Sequence, residues 1–174
     1  MNIDIIVGAR PNFIKIAPLI HRLKKNNNKI SYRLIHTGQH YDDSMSNNFF
    51  KDLSIPKPNH NLNCKSGSQS EQTAKIMIAY EKILLKKKSD LCIVVGDVNS
   101  TMACAIAAKK IGIKVAHIES GLRSKDLKMP EEINRIITDS ISDYFFTTSR
   151  SASNNLIREG KDRKLIKMRN TSRI

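Results

Sequence analysis

Along the chain, short β-rich apolar runs alternate with longer runs of helical periodicity. Asn2–Val7 reads as a buried strand ended by Gly8, and residues 11–25 as a helix. Phe13, Ile14, Ile16, Ala17, Ile20 and Leu23 supply its apolar face. Pro18 lies inside that pattern and predicts a kink or a break, since proline cannot donate a ladder bond. Residues 31–37 form the next strand, closed by Gly38, and residues 42–53 a helix of weaker pattern. Residues 55–70, with Pro56, Pro58, Gly67 and several Asn and Ser, read as loop. A long amphipathic helix over 70–88 follows, starting near Gln69 or Ser70. Leu91–Val95 is a fully buried strand ended by Gly96-Asp97. An Ala-rich helix over 100–111 stops at Gly112. Lys114–Ile118 is another strand, 121–129 a polar loop, and Pro130 opens a helix to about Ile141. Residues 144–148 give a short strand and 149–159 a last helix with a Ser start.

Strands separated by helices of this length predict βαβ units. The expected class is α/β, a doubly wound parallel sheet of Rossmann-like type with helices on both faces. In such sheets ligands bind outside the carboxyl ends of the strands, so the residues just after each strand carry the candidate chemistry.

Composition narrows the partner. With 174 residues and 40% hydrophobic side chains, the chain has material for one domain with a core. Its 30 Lys and Arg outnumber 16 Asp and Glu, a formal charge of +14 that suits an anionic ligand. Seven basic and two acidic residues fall in 151–174, so residues 161–174 read as a basic tail after a domain spanning 1–160. No apolar run approaches the roughly 18 residues of a membrane span, no signal peptide is evident, and no membrane partner is expected. Cys64, Cys92 and Cys104 fit no zinc spacing and suit a reduced, cytoplasmic setting. Aromatics at 5% and the lack of a recognised motif argue against a nucleic-acid partner.

Each strand end has a bland and a chemical reading. Gly8-Ala9-Arg10-Pro11, with Lys15 a turn later, is a tight turn with solvated cations, or a phosphate cradle of free N–H groups and a guanidinium fork. His40, in Thr37-Gly38-Gln39-His40-Tyr41, is a polar loop residue or a donor to substrate. Asp97 caps the following helix or faces the crevice; Asn99 and Ser100 are competent caps that would free it. Glu119 sits past an apolar strand, where desolvation favours acid–base duty, or it pairs with Arg123 or Arg135. His117 lies two residues before it, on the same strand face. Glu131 and Glu132 open a helix whose dipole favours carboxylates with no further role.

Taken together, these strings resemble the UDP-N-acetylglucosamine 2-epimerase family. They are Gly8-Ala9-Arg10-Pro11 with Lys15, Thr37-Gly38-Gln39-His40-Tyr41, Gly96-Asp97-Val98-Asn99-Ser100-Thr101, His117-Ile118-Glu119-Ser120-Gly121-Leu122-Arg123 and Met129-Pro130-Glu131-Glu132-Ile133-Asn134-Arg135. The resemblance implies the N-terminal Rossmann-like domain of a glycosyltransferase-B-like, two-domain enzyme, the second domain being absent from this sequence. It implies interconversion of UDP-N-acetylglucosamine and UDP-N-acetylmannosamine by elimination of UDP and re-addition through 2-acetamidoglucal, with no cofactor and no metal. A hydrolysing branch, which releases N-acetylmannosamine, is the alternative, as is a nucleotide-sugar-binding remnant or half of a split enzyme completed by a separate C-terminal-domain chain. Position by position, Asp97, Glu119 and Glu131 match the family's acid–base carboxylates. Arg10 and Lys15 match contacts to the nucleotide sugar, and His40 and Arg135 join the expected substrate-binding set. The family implies a role in cell-surface polysaccharide or glycan synthesis, and a homodimer is compatible with it. Arg169 stands where a family-like Gly-Asn-Thr turn has Gly, and without the second domain, which in the family supplies a catalytic His and most of the grip on UDP, the chain is expected to be inactive alone.

Overall fold

The computed structural model describes residues 1–25, 30–38, 47–65 and 67–168. Seven parallel strands of the described residues form one sheet: β1 (Asn2–Val7), β2 (Ser31–His36), β3 (His60–Asn61), β4 (Leu91–Val95), β5 (Lys114–Ile118), β6 (Tyr144–Thr147) and β7 (Ile166–Met168). Among the described residues six helices accompany them: α1 (Arg10–Lys25), α2 (Asn47–Asp52), α3 (Gln69–Lys86), α4 (Asn99–Lys110), α5 (Pro130–Ile141) and α6 (Arg150–Arg158). A 3₁₀ turn at Arg163–Leu165 leads into β7. The spatial order is β3-β2-β1-β4-β5-β6-β7 and every pairing is parallel.

Two cores, one on each face, follow from central strands whose apolar residues point alternately to the two sides. Ile3, Ile5 and Val7 of β1 join Ile93 and Val95 of β4 against Phe13, Ile16, Ala17 and Ile20 of α1. The alternate positions, Ile6, Cys92, Val94 and Val115, face the opposite way onto Ile76, Tyr80 and Leu84 of α3 and the alanines of α4. That is the two-residue alternation of a sheet buried on both sides, and it makes the sheet doubly wound. Asp4 is the polar exception inside β1. Fully buried, it takes two bonds from Arg33, at 2.7 and 2.8 Å, and one from the Tyr80 hydroxyl at 2.9 Å. A buried carboxylate is tolerated because its oxygens are paired.

Several local expectations are corrected. Helix α1 runs through Pro18 without a break. Pro18 has no N–H to offer the Ile14 carbonyl, and Ile14 lies on the solvent side of the helix, 53% exposed. The α3 start is fixed by a capping box: Glu71 N–H donates to Ser68 Oγ at 3.2 Å, and Ser68 N–H to Glu71 Oε2 at 2.8 Å. Strand β3 lies inside the stretch read as loop, and β7 continues the sheet into the stretch read as basic tail. The first part of the helix expected over 42–53, and residues 169–174, lie outside the described residues.

Candidate active site

The strand order reverses between β1 and β4, so the chain leaves those two neighbouring strands in opposite directions and opens a crevice at their carboxyl ends. Asn12, buried in the first turn of α1, organises that crevice. Its Oδ1 accepts from the N–H groups of Gly8 (3.1 Å) and Ala9 (3.0 Å), and its Nδ2 donates to the Val95 carbonyl at 3.3 Å. The turn after β1 is thereby stitched to the end of β4. One helical turn on, Lys15 reaches across and ion-pairs with the Glu119 carboxylate at the end of β5. The lysine side chain is 41% exposed and the glutamate 24%, so the pair is open to a ligand.

Gly96 is the hub of this arrangement. A Cβ added there would lie 3.5 Å from both Asn12 Nδ2 and Glu119 Oε2, and 3.9 Å from Lys15 Nζ. Its φ of +72° is left-handed backbone, which glycine adopts without strain. Glu119 itself has a φ of +71°, uncommon for a side chain with a Cβ. Its N–H donates to the Phe146 carbonyl at 2.9 Å, which holds it there. Strand alternation therefore stops at Ile118. The expectation that His117 and Glu119 share a face fails for that reason, and His117 is fully buried below the turn.

Asp97, next to the hub, does not cap α4. The N-cap is Val98, with no side-chain capping bond, and Asn99 and Ser100 lie inside the helix rather than before it. Asp97 Oδ2 instead accepts from Arg135 at 2.5 Å, and Arg135 donates from its other arm to Glu132 at 2.7 Å. Asn134 Nδ2 donates to the Asp97 carbonyl at 2.8 Å and to Asn99 Oδ1 at 3.2 Å. Glu132 is 1% exposed. Burial pushes its carboxyl up, but N–H donors at Ser124 and Lys125 and the Arg135 guanidinium together hold it below the ordinary value. Arg123 and Arg135, the expected partners of Glu119, are both engaged elsewhere: Arg123 with Asp139 and Glu159, Arg135 with Asp97 and Glu132. Lys15 is the partner of Glu119 instead.

Arg10 opens α1 at the same end of the sheet, exposed, with its guanidinium 5.1 Å from the centre of the Phe49 ring. Glu131 lies in the first turn of α5, half-buried, and its carboxylate makes no hydrogen bond or ion pair with another of the described residues. His40 lies outside the described residues. The structure thus brings Lys15 to Glu119 and Arg135 to Asp97, and joins the two pairs through Gly96. Sequence reasoning missed Asn12, Glu132 and Asn134 as organisers, because a polar residue in the first turns of a helix carries no distinguishing pattern. Among the described residues, no group of three or more His, Cys, Asp or Glu is placed to hold a metal ion.

A family model for UDP-N-acetylglucosamine 2-epimerase matches residues 21–168. The chain belongs to that family. A crystal structure of Methanocaldococcus jannaschii UDP-GlcNAc 2-epimerase in complex with UDP-GlcNAc and UDP superposes with a TM-score of 0.92 at 49% identity, covering 97% of this chain and 46% of that one. A UDP-N-acetylglucosamine 2-epimerase homolog of Methanococcus maripaludis is 53% identical over 92% of this chain and 44% of its own length. The UDP-2,3-diacetamido-2,3-dideoxy-D-glucuronate 2-epimerase of Pseudomonas aeruginosa is 45% identical over 98% of this chain and 48% of its own. The chain therefore spans about half the length of the curated relatives it matches. Within the 2-epimerase family, the α/β class and the doubly wound parallel sheet expected from the sequence are both found. No described helix is long and apolar enough to cross a membrane.

Proposed function

We propose that this chain carries the acid–base half of a UDP-N-acetylglucosamine 2-epimerase active site, of the non-hydrolysing type. The observation that carries the reading is the Lys15–Glu119 pair set against the Asp97–Arg135 pair around Gly96, in the crevice where a doubly wound sheet binds its ligand. In the reaction a carboxylate takes the proton from C2, and the C1–O electron pair leaves with UDP, giving 2-acetamidoglucal. A carboxylic acid then returns a proton to the opposite face as UDP adds back. Two kinds of group are needed: positioned carboxylates for proton transfer, and cations for the departing diphosphate. Asp97, Glu119 and Glu131 are assigned the first task, Arg10 and Lys15 the second, and Arg135 orients Asp97. His40 is retained as a substrate contact. The decisive assay is product analysis with the chain joined to a second domain from the Methanocaldococcus jannaschii relative. UDP-N-acetylmannosamine supports the reading; free N-acetylmannosamine with stoichiometric UDP supports the hydrolysing branch instead.

A second substrate is favoured by one finding, the 45% identity to the diacetamido-glucuronate epimerase. Exposed Arg10, stacked on Phe49, offers a cation for a sugar carboxylate. Parallel assays on both UDP sugars decide between them.

The second domain is taken to come from a further segment or a separate chain. A homodimer is supported by a groove of about 590 Å³ between α3, α4 and α5, lined by Met77, Ile78, Met102 and Ile133 among others and by no ionisable side chain. On a protein of +14 charge, an uncharged apolar face is where two copies approach without repulsion. We place the activity in the cytoplasm, feeding surface polysaccharide synthesis; three free, buried cysteines support a reducing compartment.

A further inference from the structure

We infer that the buried His117–Asp139 pair is a positioning device, which fixes the turn carrying Asp97 against the turn carrying Glu119. The inference rests on the acid–base reading of those two carboxylates. His117 is 0% exposed and Asp139 1%. The imidazole stands between two oxygens, with Nδ1 2.7 Å from Asp139 Oδ1 and Nε2 2.8 Å from the Gly96 carbonyl. A carbonyl oxygen only accepts, so Nε2–H donates to Gly96. Asp139 Oδ2 accepts from the Gly121 N–H at 3.0 Å and from Arg123 at 2.8 Å, which marks the carboxylate as the acceptor toward Nδ1–H as well. Burial pushes the Asp139 carboxyl up, but His117 and Arg123 together hold it below its ordinary value.

The consequence is a closed circuit through both turns. The Gly96 N–H donates to the Ile118 carbonyl at 3.0 Å while its own carbonyl takes the His117 proton, so the residue before Asp97 is held on both sides. Glu119, in its left-handed conformation, is bracketed by His117 on one flank and Gly121 on the other, and both flanks meet at Asp139. An ion pair buried this completely is seldom more stabilising than apolar residues of the same volume. What an apolar pair lacks is the directed contact to Gly96 and Gly121. Displacing Gly96 moves the hub against which Lys15 and Glu119 lie. Neither His117 nor Asp139 touches the crevice, so their effect passes through the turns they hold.

The test uses the full chain and the variants Asp139→Asn and His117→Gln. Carboxyl carbon resonances of Glu119 and Asp97 are recorded by NMR, with buried Asp4 as an internal control on the far end of the sheet. Displacement of the Glu119 and Asp97 signals in a folded variant, with Asp4 unmoved, is the expected result. Unmoved Glu119 and Asp97 signals in a folded variant overturn the proposal. If neither variant folds, the wild-type chain decides. Two slowly exchanging imidazole N–H signals from His117, one with a contact to Gly96, support the device; the absence of the Nε2 proton overturns it. This arm needs no turnover and stands even if the epimerase reading fails. Where the joined two-domain protein turns over, Asp139→Asn should lower kcat about 10²-fold with KM little changed, the cost of a misplacement near 1 Å. A drop in thermal stability with kcat and KM intact would instead assign the pair to packing.

Discussion

Gly96 and Gly121 share one backbone conformation and differ in what surrounds them, which makes them a controlled pair. Their φ values are +72° and +78°, so replacement by alanine forces a left-handed residue in either case, at roughly 1–2 kcal/mol. At Gly96 the new Cβ meets Asn12 and Glu119 at 3.5 Å, ordinary contact, and nothing has to move. At Gly121 it would lie 2.3 Å from the Ala152 carbonyl oxygen and 2.9 Å from its carbon, both backbone atoms of α6. The first turn of α6 must then shift, an overpacking cost of about 1–3 kcal/mol on top of the strain. Gly96→Ala should thus lose about 1–2 kcal/mol and Gly121→Ala about 2–5 kcal/mol. At about 2–4 °C per kcal/mol for a chain of this size, thermal unfolding followed by circular dichroism resolves the two. Function should rank them the other way relative to stability. Gly96→Ala puts a methyl beside Glu119 Oε2 and depletes turnover while the fold survives. Equal stability losses at the two sites would mean that the contact with Ala152 does not exist.

Other consequences are independent of that pair. Asp97→Asn, Glu119→Gln and Glu131→Gln should each lower kcat of the joined two-domain protein by about 10²-fold or more while leaving the thermal midpoint close to wild type, and near-normal turnover in all three would reduce them to ion-pair partners. His36 is buried at the end of β2, and burial pushes its imidazole down from 6.5 to about 4. Below pH 6.5 the unfolded chain binds a proton that the folded chain refuses, so stability falls as pH drops from 6.5 toward about 4. His36→Gln should flatten that slope in urea unfolding relative to wild type, and an unchanged slope would contradict it. If two copies meet at the uncharged groove, Ile133→Glu should convert a dimer to monomer in sedimentation; a wild-type monomer removes the groove as a self-contact.

How far the sequence reached follows from burial. β1, β4 and β5 are buried along most of their length because helices cover both faces, and their observed bounds coincide with those expected. β3 and β7 went unread because they are short edge strands. His60-Asn61 is polar and exposed, and Ile166-Lys167-Met168 carries too little pattern to separate from a tail. In the site, Asp97 and Glu119 could be read because a parallel sheet delivers strand-end residues to one rim. Their partners could not. Lys15 and Glu119 are 104 positions apart and Asp97 and Arg135 38 apart, and only the order of strands brings them together. The polar residues inside helices, Asn12 and Glu132, look like solvated positions until the sheet closes over them.

Residues that move a proton at C2 of a UDP sugar must let that carbon exchange its hydrogen with solvent. UDP-N-acetylglucosamine is incubated in deuterated water with the chain joined to a second domain, and proton NMR follows the C2 signal. Deuterium is expected to enter C2, Glu119→Gln to abolish this, and a polypeptide of these 174 residues alone, with the crevice open to water, to exchange at or near background. Undiminished exchange in Glu119→Gln, or none in the joined wild-type protein with UDP-N-acetylglucosamine bound, would contradict it.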